Sequence, residues 1–358
     1  MLSKFAPGRV ELLGNHTDYN QGVVLSAALD LGTTISGERT DNGIVTLESE
    51  GFGGVELALA DGLTKSGQWS DYALGVVAVM RREGFPVDGF TAKVSSNLPV
   101  GAGLSSSAAL EVATAVFLRD LFELEIDRMG IAKLCRRAEN EFVGVNCGLL
   151  DHVSSVFGEA GRAVHLDCRD ETVRTIAFPD EVDLLIINSG GHHELSGGEY
   201  NERREQCIEA AEGLGVSSLR EATPQMLRDA DLSDLARRRA AHVIGEIERV
   251  EAAVDLLGSG DVEGFGQLLS ASHRSSMENF ENSTPELDQL VEVALLQEGV
   301  LGSRLTGGGF GGATVSLVRS ENVEAARRAI LSEYKSRTGI ETVAFRCRIG
   351  EGAGATGF

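Results

Sequence analysis

Alternating apolar and polar positions divide the chain into short strands and longer helices. Apolar β-rich runs bounded by Gly, Asn and Asp predict strands at 23–25, 33–35, 44–47, 90–94, 182–187 and 313–318. Helical spacing of apolar residues predicts helices at 70–82, 131–142, 199–214, 232–253 and 285–297, and another directly after residue 107. In that last helix an apolar stripe runs from Ala109 to Phe117, with Glu111 and Arg119 lying off it. The pattern predicts a mixed α+β protein.

A chain of 358 residues is long enough for two domains of ordinary size. The apolar strand at 182–187 is the best place for the change of domain, because no Pro-rich linker or repeat marks another. We therefore expect one domain at 1–180 and a second at 181–358.

Charge and hydropathy restrict the partners. With 32 Lys and Arg against 54 Asp and Glu, the net charge is −22, which argues against nucleic acid as the main partner. No apolar run approaches the roughly 20 residues of a membrane helix. The first residues lack the apolar core of a signal peptide. We expect a cytoplasmic monomer that contacts no membrane.

The cysteines show neither metal-site nor disulfide spacing. There are five, without a CxxC pair, at positions 135, 147, 168, 207 and 347. We interpret them as reduced thiols, mostly buried.

The segment PVGAGLSSSAAL, residues 99–110, combines a glycine turn with three serines at a predicted helix start. Gly101 and Gly103 allow the backbone to approach a ligand closely. The free amides and the dipole of the helix N-terminus attract phosphate, and a hydroxyl suits Mg²⁺. A tight turn with a serine N-cap explains the local pattern about equally well. The GxxxxGK[ST] nucleotide loop occurs nowhere in the chain.

A second glycine cluster, GGGFGG at 307–312, formally contains GxGxxG. A β-rich run follows it, whereas a dinucleotide-binding motif is followed by a helix, so we reject that interpretation. The cluster is then a loop for close packing between domains. It gains a functional meaning only if the first glycine segment lies opposite.

Three further sites offer chemistry. Asn15, His16, Asp18 and Asn20 could bind sugar hydroxyls, or form a turn that satisfies its own backbone. Asp151 could be a general base or a helix cap. Glu139 could be a Mg²⁺ ligand or an ordinary acid on a helix surface.

Taken together, these segments resemble one family in order and spacing. GRVELLGNHTDYNQGVVL at 8–25, GAGLSSSAALE at 101–111 and LTGGGFGG at 305–312 are similar to motifs of the GHMP kinases, in the galactokinase branch. Supporting stretches are AENEFVGVNCGLLD, EYNERREQC and PELDQLVEV. The resemblance implies an N-terminal domain of the ribosomal-S5-like type, a C-terminal ferredoxin-like domain and an active site between them.

The resemblance also implies roles for individual residues. Asp151 would be the catalytic base toward the anomeric hydroxyl, and Arg9 would lower its pKa and stabilise the transferring phosphoryl group. The remaining positions fall into three groups: sugar binding by Asn15, His16, Asp18, Gly148 and Tyr200; ATP binding by Gly101, Ala102, Gly103, Leu104, Ser105, Ser106, Ser107 and Trp69, with Tyr72 nearby; and Mg²⁺ binding by Ser107 and Glu139.

One departure concerns the sugar. The family motif GEHTDYN carries Asn15 here in place of Glu. A neutral amide tolerates a C6 carboxylate that a glutamate would repel. The Met277–Phe280 run also differs from the family pattern. The expected activity is therefore a galactose 1-kinase, with a galacturonate 1-kinase and a non-catalytic sugar sensor as alternatives and a mevalonate- or homoserine-type kinase last.

Overall fold

In a computed structural model of the chain, residues 1–99, 103–191 and 198–353 are described. Each half of the chain contributes its own sheet. The first sheet contains β1 (Leu2–Leu13), β2 (Val23–Arg39), β3 (Ile44–Ser49), β4 (Gly53–Ala58), β5 (Phe90–Ser96), β6 (Arg162–Asp167) and β7 (Thr172–Ala177). The second contains β8 (Val182–Asn188), β9 (Val300–Thr306), β10 (Ala313–Arg319) and β11 (Ala344–Cys347).

Strand β2 organises the first sheet. The order is β4-β3-β5-β2-β6-β7, and β1 pairs with β2 outside this path. The sequence predicted two short strands at 23–25 and 33–35, but β2 is one strand of 17 residues. Asp30 and Gly32 interrupt the apolar pattern without breaking the strand, since Gly32 stays in register with Pro7.

Irregular pairing shapes β1. Its register against β2 shifts between Pro7 and Arg9 and again between Glu11 and Leu13. Such bulges bend a strand and redirect its side chains. Arg9 and Glu11 both lie in this irregular part of the strand.

The helices of the first half pack on one face of its sheet. They are α1 (Ser70–Arg82), α2 (Ser106–Leu121), α3 (Arg128–Arg137) and α4 (Leu150–Phe157). Helix α1 has the predicted bounds. The sequence predicted one helix at 131–142. In the structure α3 ends at Arg137, and the chain continues as a wider π-helical turn, Ala138–Val143.

Glu111 and Arg119 lie off the apolar stripe of α2, yet both are buried. Glu111 is 0% exposed and Arg119 is 5% exposed. Helix α2 is covered on all sides because it packs against the sheet and against α1, α3 and α4. The apolar stripe of a helix predicts which side of the helix faces the core, but it does not predict whether other elements cover the opposite side.

The second sheet has the order β11-β8-β10-β9. Its helices are α5 (Gly198–Leu214), α6 (Pro224–Asp229), α7 (Asp234–Ser259), α8 (Val262–Ser275), α9 (Pro285–Leu295) and α10 (Val323–Thr338). In chain order the strands are interrupted by helices before β9 and before β11. This is the β-α-β-β-α-β arrangement of ferredoxin-like folds, as the sequence analysis expected.

The two halves share a core. Val10, Leu12 and Leu25 of the first sheet belong to the same buried cluster as Phe265 and Val315 of the second half. Both faces of β1 and β2 are therefore covered, which explains the long buried run at the end of β1. The first sheet ends at residue 177 and the second begins at 182; the division into domains at 180/181 stays a prediction.

Two sequence expectations concern thiols and membranes. All five cysteines are free, and Cys135, Cys207 and Cys347 are buried. Among the described helices, none has both the length and the apolar character needed to cross a bilayer.

Candidate active site

The glycine–serine segment leads into α2, but its first serine does not cap the helix. Ser105 adopts a left-handed conformation, with φ 55°, and its side chain makes no capping hydrogen bond. Its hydroxyl instead donates to Asp151 Oδ2 at 2.6 Å. The serine-cap interpretation of Ser105 is therefore wrong. Gly101 and Ala102 lie outside the described residues, and phosphate binding by this segment stays a prediction.

Arg9 and Asp151 form the central ion pair of the site. Arg9 Nε and Nη2 each lie 2.7 Å from Asp151 Oδ1. Asp151 stands in the first turn of α4, where Leu149 is the N-cap residue, so it is not a helix cap. Burial raises the pKa of the Asp151 carboxyl, but the opposing effects of Arg9 and the Ser105 hydroxyl are larger together. The resulting pKa of Asp151 lies below its usual range. Asp151 is ionised at neutral pH, and its side chain stays 25% exposed.

Strand β1 holds Arg9 against the glycine–serine segment. The Arg9 amide donates to Leu104 O at 3.1 Å, and Arg9 Nη1 donates to Gly103 O at 2.8 Å. A Cβ at Gly8 would lie 2.6 Å from Leu104 O, closer than atoms can approach. Glycine is required at position 8 because the two backbones touch there.

The two glycine segments lie opposite each other. A Cβ at Gly307 would lie 3.9 Å from Gly103 O, and one at Gly103 would lie 4.0 Å from Thr306 O. This is the arrangement under which the GGGFGG loop was expected to have a function. Strand β10 follows that loop, as predicted, so a dinucleotide-binding motif is excluded.

A cavity of about 260 Å³ lies near the GGGFGG loop, because a Cβ at Gly308 would lie 3.6 Å from Tyr200 in the cavity wall. Asp18, Gly148 and Tyr200 line it together, so the structure brings these three predicted sugar residues to one place. Burial raises the pKa of Asp18 to about 6. The cavity therefore presents a carboxylate and a phenol, both suited to hydroxyl groups.

Asn15 lies behind the cavity wall and is only 1% exposed. Its Nδ2 donates to Glu11 Oε1 at 3.0 Å and to Gly307 O at 2.7 Å. Its Oδ1 accepts from Asn282 Nδ2 at 2.8 Å. Both amide hydrogens are thus used within the protein. Contact between Asn15 and a sugar C6 group stays a prediction, and it requires this network to open.

His16 is likewise engaged by the protein. Its Nε2 lies 2.8 Å from Gly308 O and its Nδ1 lies 2.8 Å from the Tyr19 hydroxyl. A carbonyl only accepts, so Nε2 carries the proton and Nδ1 accepts from Tyr19. Burial lowers the pKa of His16 to about 3, which keeps the ring neutral. Its ring lies against that of Tyr200, with centroids 5.2 Å apart, so His16 supports the cavity wall.

Ser107 and Glu139 offer oxygen donors beside Asp151. Glu139 is buried at the start of the π-helical turn, so the interpretation as a surface acid is wrong. Burial raises the pKa of Glu139, while hydrogen bonds from Cys147 and Ser107 lower it in part. A carboxylate and a hydroxyl that already touch, with Asp151 close by, fit the preference of Mg²⁺ for hard oxygen ligands.

Trp69 directly precedes α1 and is half-buried against the N-terminal core. One turn further on is Tyr72, whose phenol pKa is raised by burial and by the nearby Glu139 carboxylate. Adenine binding by Trp69 stays a prediction.

Three residues of this region were not predicted from the sequence. Glu111 and His152 form a buried pair at 2.6 Å, and Asn282 hydrogen-bonds to both Asn15 and Gly308 O. Glu111 could have been found, because it lies four residues after Ser107 and shares its helix face. No local signal points to Asn282, since its partners are distant in sequence.

Known protein families match the chain at these positions. The galactokinase galactose-binding signature matches residues 4–39, the GHMP kinase N-terminal domain matches 71–159 and the GHMP kinase C-terminal domain matches 253–336. Galactokinase from Homo sapiens is 43% identical over 93% of this chain and 88% of its own length. Galactokinase from Haemophilus influenzae (strain ATCC 51907) is 39% identical over 98% of this chain and 94% of its own length.

Solved structures agree. Lactococcus lactis galactokinase complexed with galactose superposes with a TM-score of 0.93 at 34% identity, covering 98% of this chain and 94% of that one. Methanococcus jannaschii mevalonate kinase shares the fold, with a TM-score of 0.71 at 20% identity, covering 97% of this chain and 98% of that one. The expected two-domain fold is confirmed. The chain belongs to the GHMP kinase family, in its galactokinase branch.

Proposed function

We propose that the chain transfers the γ-phosphoryl group of ATP to the anomeric hydroxyl of galactose. The observation that carries the proposal is the Arg9–Asp151–Ser105 cluster, whose Asp151 carboxylate lies near enough to Asp18 in the cavity wall to add to the effect of burial in raising the pKa of Asp18. Relatives with the printed name galactokinase, and a related structure complexed with galactose, support this choice of sugar.

Asp151 is the base of the proposed reaction. It takes the proton from the anomeric hydroxyl, and the resulting oxygen attacks the γ-phosphorus. Arg9 keeps Asp151 ionised and lies where negative charge develops on the transferring group. The Ser105 hydroxyl fixes the second carboxylate oxygen and so sets the direction of the free lone pairs.

The nucleotide binds between the two facing glycine segments in this proposal. The phosphates lie along residues 101–107 at the N-terminus of α2, where amides and the helix dipole favour anions. Ser107 and Glu139 would hold Mg²⁺, which would neutralise part of the phosphate charge. Local donors of this kind explain how a chain with net charge −22 binds ATP.

Asp18 accepts hydrogen bonds from sugar hydroxyls, and Tyr200 also lines the cavity. Asn15 and His16 lie behind the cavity wall. Their side chains hydrogen-bond to carbonyl groups of the GGGFGG loop and so connect this loop to the sugar-binding segment.

A panel of sugars tests the proposal. ADP release is measured with Mg²⁺ATP and D-galactose, D-galacturonate or D-glucose, and ³¹P NMR identifies the phosphorylated position. We expect turnover with galactose and a 1-phosphate product. Turnover on galacturonate alone would favour the C6-altered alternative, and sugar binding without ADP release would favour a sensor.

Asn15→Glu tests whether position 15 distinguishes C6 groups. A shift of preference toward the neutral C6 hydroxyl is the outcome if it does. An unchanged sugar profile would assign Asn15 to the protein network alone.

The free cysteines support a reducing compartment such as the cytoplasm. A monomeric state stays a prediction that light scattering of the purified protein tests.

A further inference from the structure

Next to the Ser107–Glu139 pair, a group of softer donor atoms converges on the same carboxylate. Cys147 Sγ lies 3.0 Å from Glu139 Oε2, and His152 Nε2 lies 3.5 Å from that oxygen. The three donor atoms all lie within 4.8 Å of one another. A thiol, an imidazole and a carboxylate therefore converge. Glu111 Oε2 lies 2.6 Å from His152 Nε2, outside this group of three.

We infer that Cys147, His152 and Glu139 form a binding site for a borderline-soft divalent cation, Zn²⁺, and that Zn²⁺ bound there inhibits the kinase. The binding part is independent of the proposed function. The inhibition rests on the proposed function, because it depends on Glu139 serving Mg²⁺ during phosphoryl transfer.

The donor spacing suits a tetrahedral ion. Zinc bonds of roughly 2.0–2.3 Å imply about 3.4 Å between a nitrogen and an oxygen ligand and about 3.6 Å between a sulfur and an oxygen ligand. The separations in the structure are 3.5 Å and 3.0 Å. Moving Cys147 Sγ about 0.6 Å away from Glu139 Oε2 gives the sulfur–oxygen distance of a zinc site, and all three donor atoms already lie within 4.8 Å of one another. A water from the cavity can supply the fourth ligand.

Two buried polar atoms here, Glu111 Oε1 and His152 Nδ1, lack hydrogen-bond partners within the described residues. Glu111 Oε1 is the one that a nearby cation would stabilise, because His152 Nδ1 lies on the side of the ring away from Nε2. Both side chains are 0% exposed. An unpartnered buried polar atom is costly, and buried carboxylates ordinarily lie beside a cation. A cation held at Glu139 and His152 would place positive charge directly beside Glu111.

Access and charge are also favourable. Cys147 lines the cavity of about 260 Å³ and is half-buried, so an ion can enter from the solvent side. On binding, the Cys147 thiol proton leaves to the solvent, while the proton shared by His152 and Glu111 stays in that pair and the neutral imidazole presents Nε2 to the ion with its own N–H on Nδ1. The thiolate and the Glu139 carboxylate then balance the charge of the ion.

The ligand atoms of this site favour Zn²⁺ over Mg²⁺. Thiolate and imidazole ligands favour zinc, whereas magnesium requires oxygen ligands in octahedral geometry. Zn²⁺ at this site would occupy Glu139 and remove the carboxylate from the Ser107 side. Inhibition would then be competitive with Mg²⁺.

The test measures zinc affinity by competition with a chromophoric chelator, on the reduced full-length protein without ATP or Mg²⁺. We expect one equivalent per chain. Cys147→Ser and His152→Gln should each weaken it at least tenfold, since each removes one ligand; glutamine can still hydrogen-bond to Glu111. Cys168→Ser is the matched control, because Cys168 is a half-buried thiol lining the same cavity. Its affinity should equal that of the unaltered chain.

Two further measurements distinguish zinc binding at this site from its effect on the kinase reaction. Co²⁺ in place of Zn²⁺ should give a thiolate charge-transfer absorption that Cys147→Ser abolishes and Cys168→Ser keeps. In the kinase assay, Zn²⁺ should inhibit the unaltered chain, with relief by excess Mg²⁺, and the turnover of His152→Gln should not fall on adding Zn²⁺, measured relative to its own rate without zinc. Equal zinc affinity in all variants, or no binding to the reduced chain, would overturn the site. Binding without inhibition would overturn its regulatory role, and zinc binding by a chain inactive on every sugar would count against the proposed function alone.

Discussion

Asp18 and Gly148 fit together so closely that any side chain at position 148 would displace the Asp18 carboxylate. A Cβ there would lie 2.0 Å from Asp18 Oδ2. Gly148→Ala should therefore displace the Asp18 carboxylate and lower kcat/KM for galactose by about 10²-fold, since misplacement by an ångström has effects of that size. The KM for ATP should not change.

Gly258→Ala is the control for this variant, because Gly258 lies in α7 with open space around its Cβ position. Steady-state kinetics with each substrate varied in turn checks both variants. A Gly148→Ala enzyme with an unaltered galactose KM would remove Asp18 from the sugar site.

The pH profile should report Asp18 rather than Asp151. Burial raises the pKa of Asp18 to about 6, whereas Asp151 has a lowered pKa beside Arg9. As pH falls through 6, Asp18 gains a proton and loses acceptor capacity while Asp151 stays ionised. We expect kcat/KM for galactose to fall below about pH 6. Asp18→Asn should have a lower kcat/KM and no such acid limb, and a limb that persists in this variant would assign it to another group.

Asp151→Asn should lower kcat by about 10²–10⁴-fold, the range typical of a general base. The amide has nearly the same shape but cannot take the anomeric proton. ATP affinity, measured by equilibrium titration, should remain close to that of the unaltered chain. Near-normal turnover would exclude Asp151 as the base.

Arg9→Met should raise the pKa of Asp151, because burial alone raises it and Arg9 is the first group that opposes this effect. We expect lower turnover and an acid limb that moves to higher pH. Arg346→Met is a comparable change elsewhere, since Arg346 pairs with Asp183 in the second half at 2.7 Å. The pH profile of Arg346→Met should match that of the unaltered chain. If Arg9→Met also kept the unaltered profile, Arg9 would not be the group that lowers the pKa of Asp151.

Asn15→Asp should destabilise the fold. It would place a second carboxylate 3.0 Å from Glu11 and remove the donor to Gly307 O. An uncompensated buried charge costs about 3–5 kcal/mol. Because the new carboxyl would have a raised pKa, the loss should be largest at neutral pH and smaller as pH falls. Urea unfolding checks this prediction, and Asn201→Asp, at an exposed position, is the control. Equal urea midpoints for the two variants would show that the hydrogen bonds of Asn15 do not stabilise the fold.

The sequence predicted the ingredients of the site better than its surroundings. Helix α1 and the ferredoxin-like half were predicted correctly, because their signals are local or come with the family motifs. Asp151 and Arg9 were found as a pair only through the resemblance, since 142 positions separate them. The burial of Glu111 and the part played by Asn282 were missed, because tertiary packing decides both.

The fixed proton of His16 gives the molecule a spectroscopic probe of its own. Gly308 O can only accept, so the ring is held in the Nε2-protonated tautomer as long as the two halves remain joined there. The tautomer has a distinct ¹⁵N chemical shift. Following that resonance during titration with nucleotide or sugar would show, without any label at the cavity, whether the junction loosens when a ligand arrives.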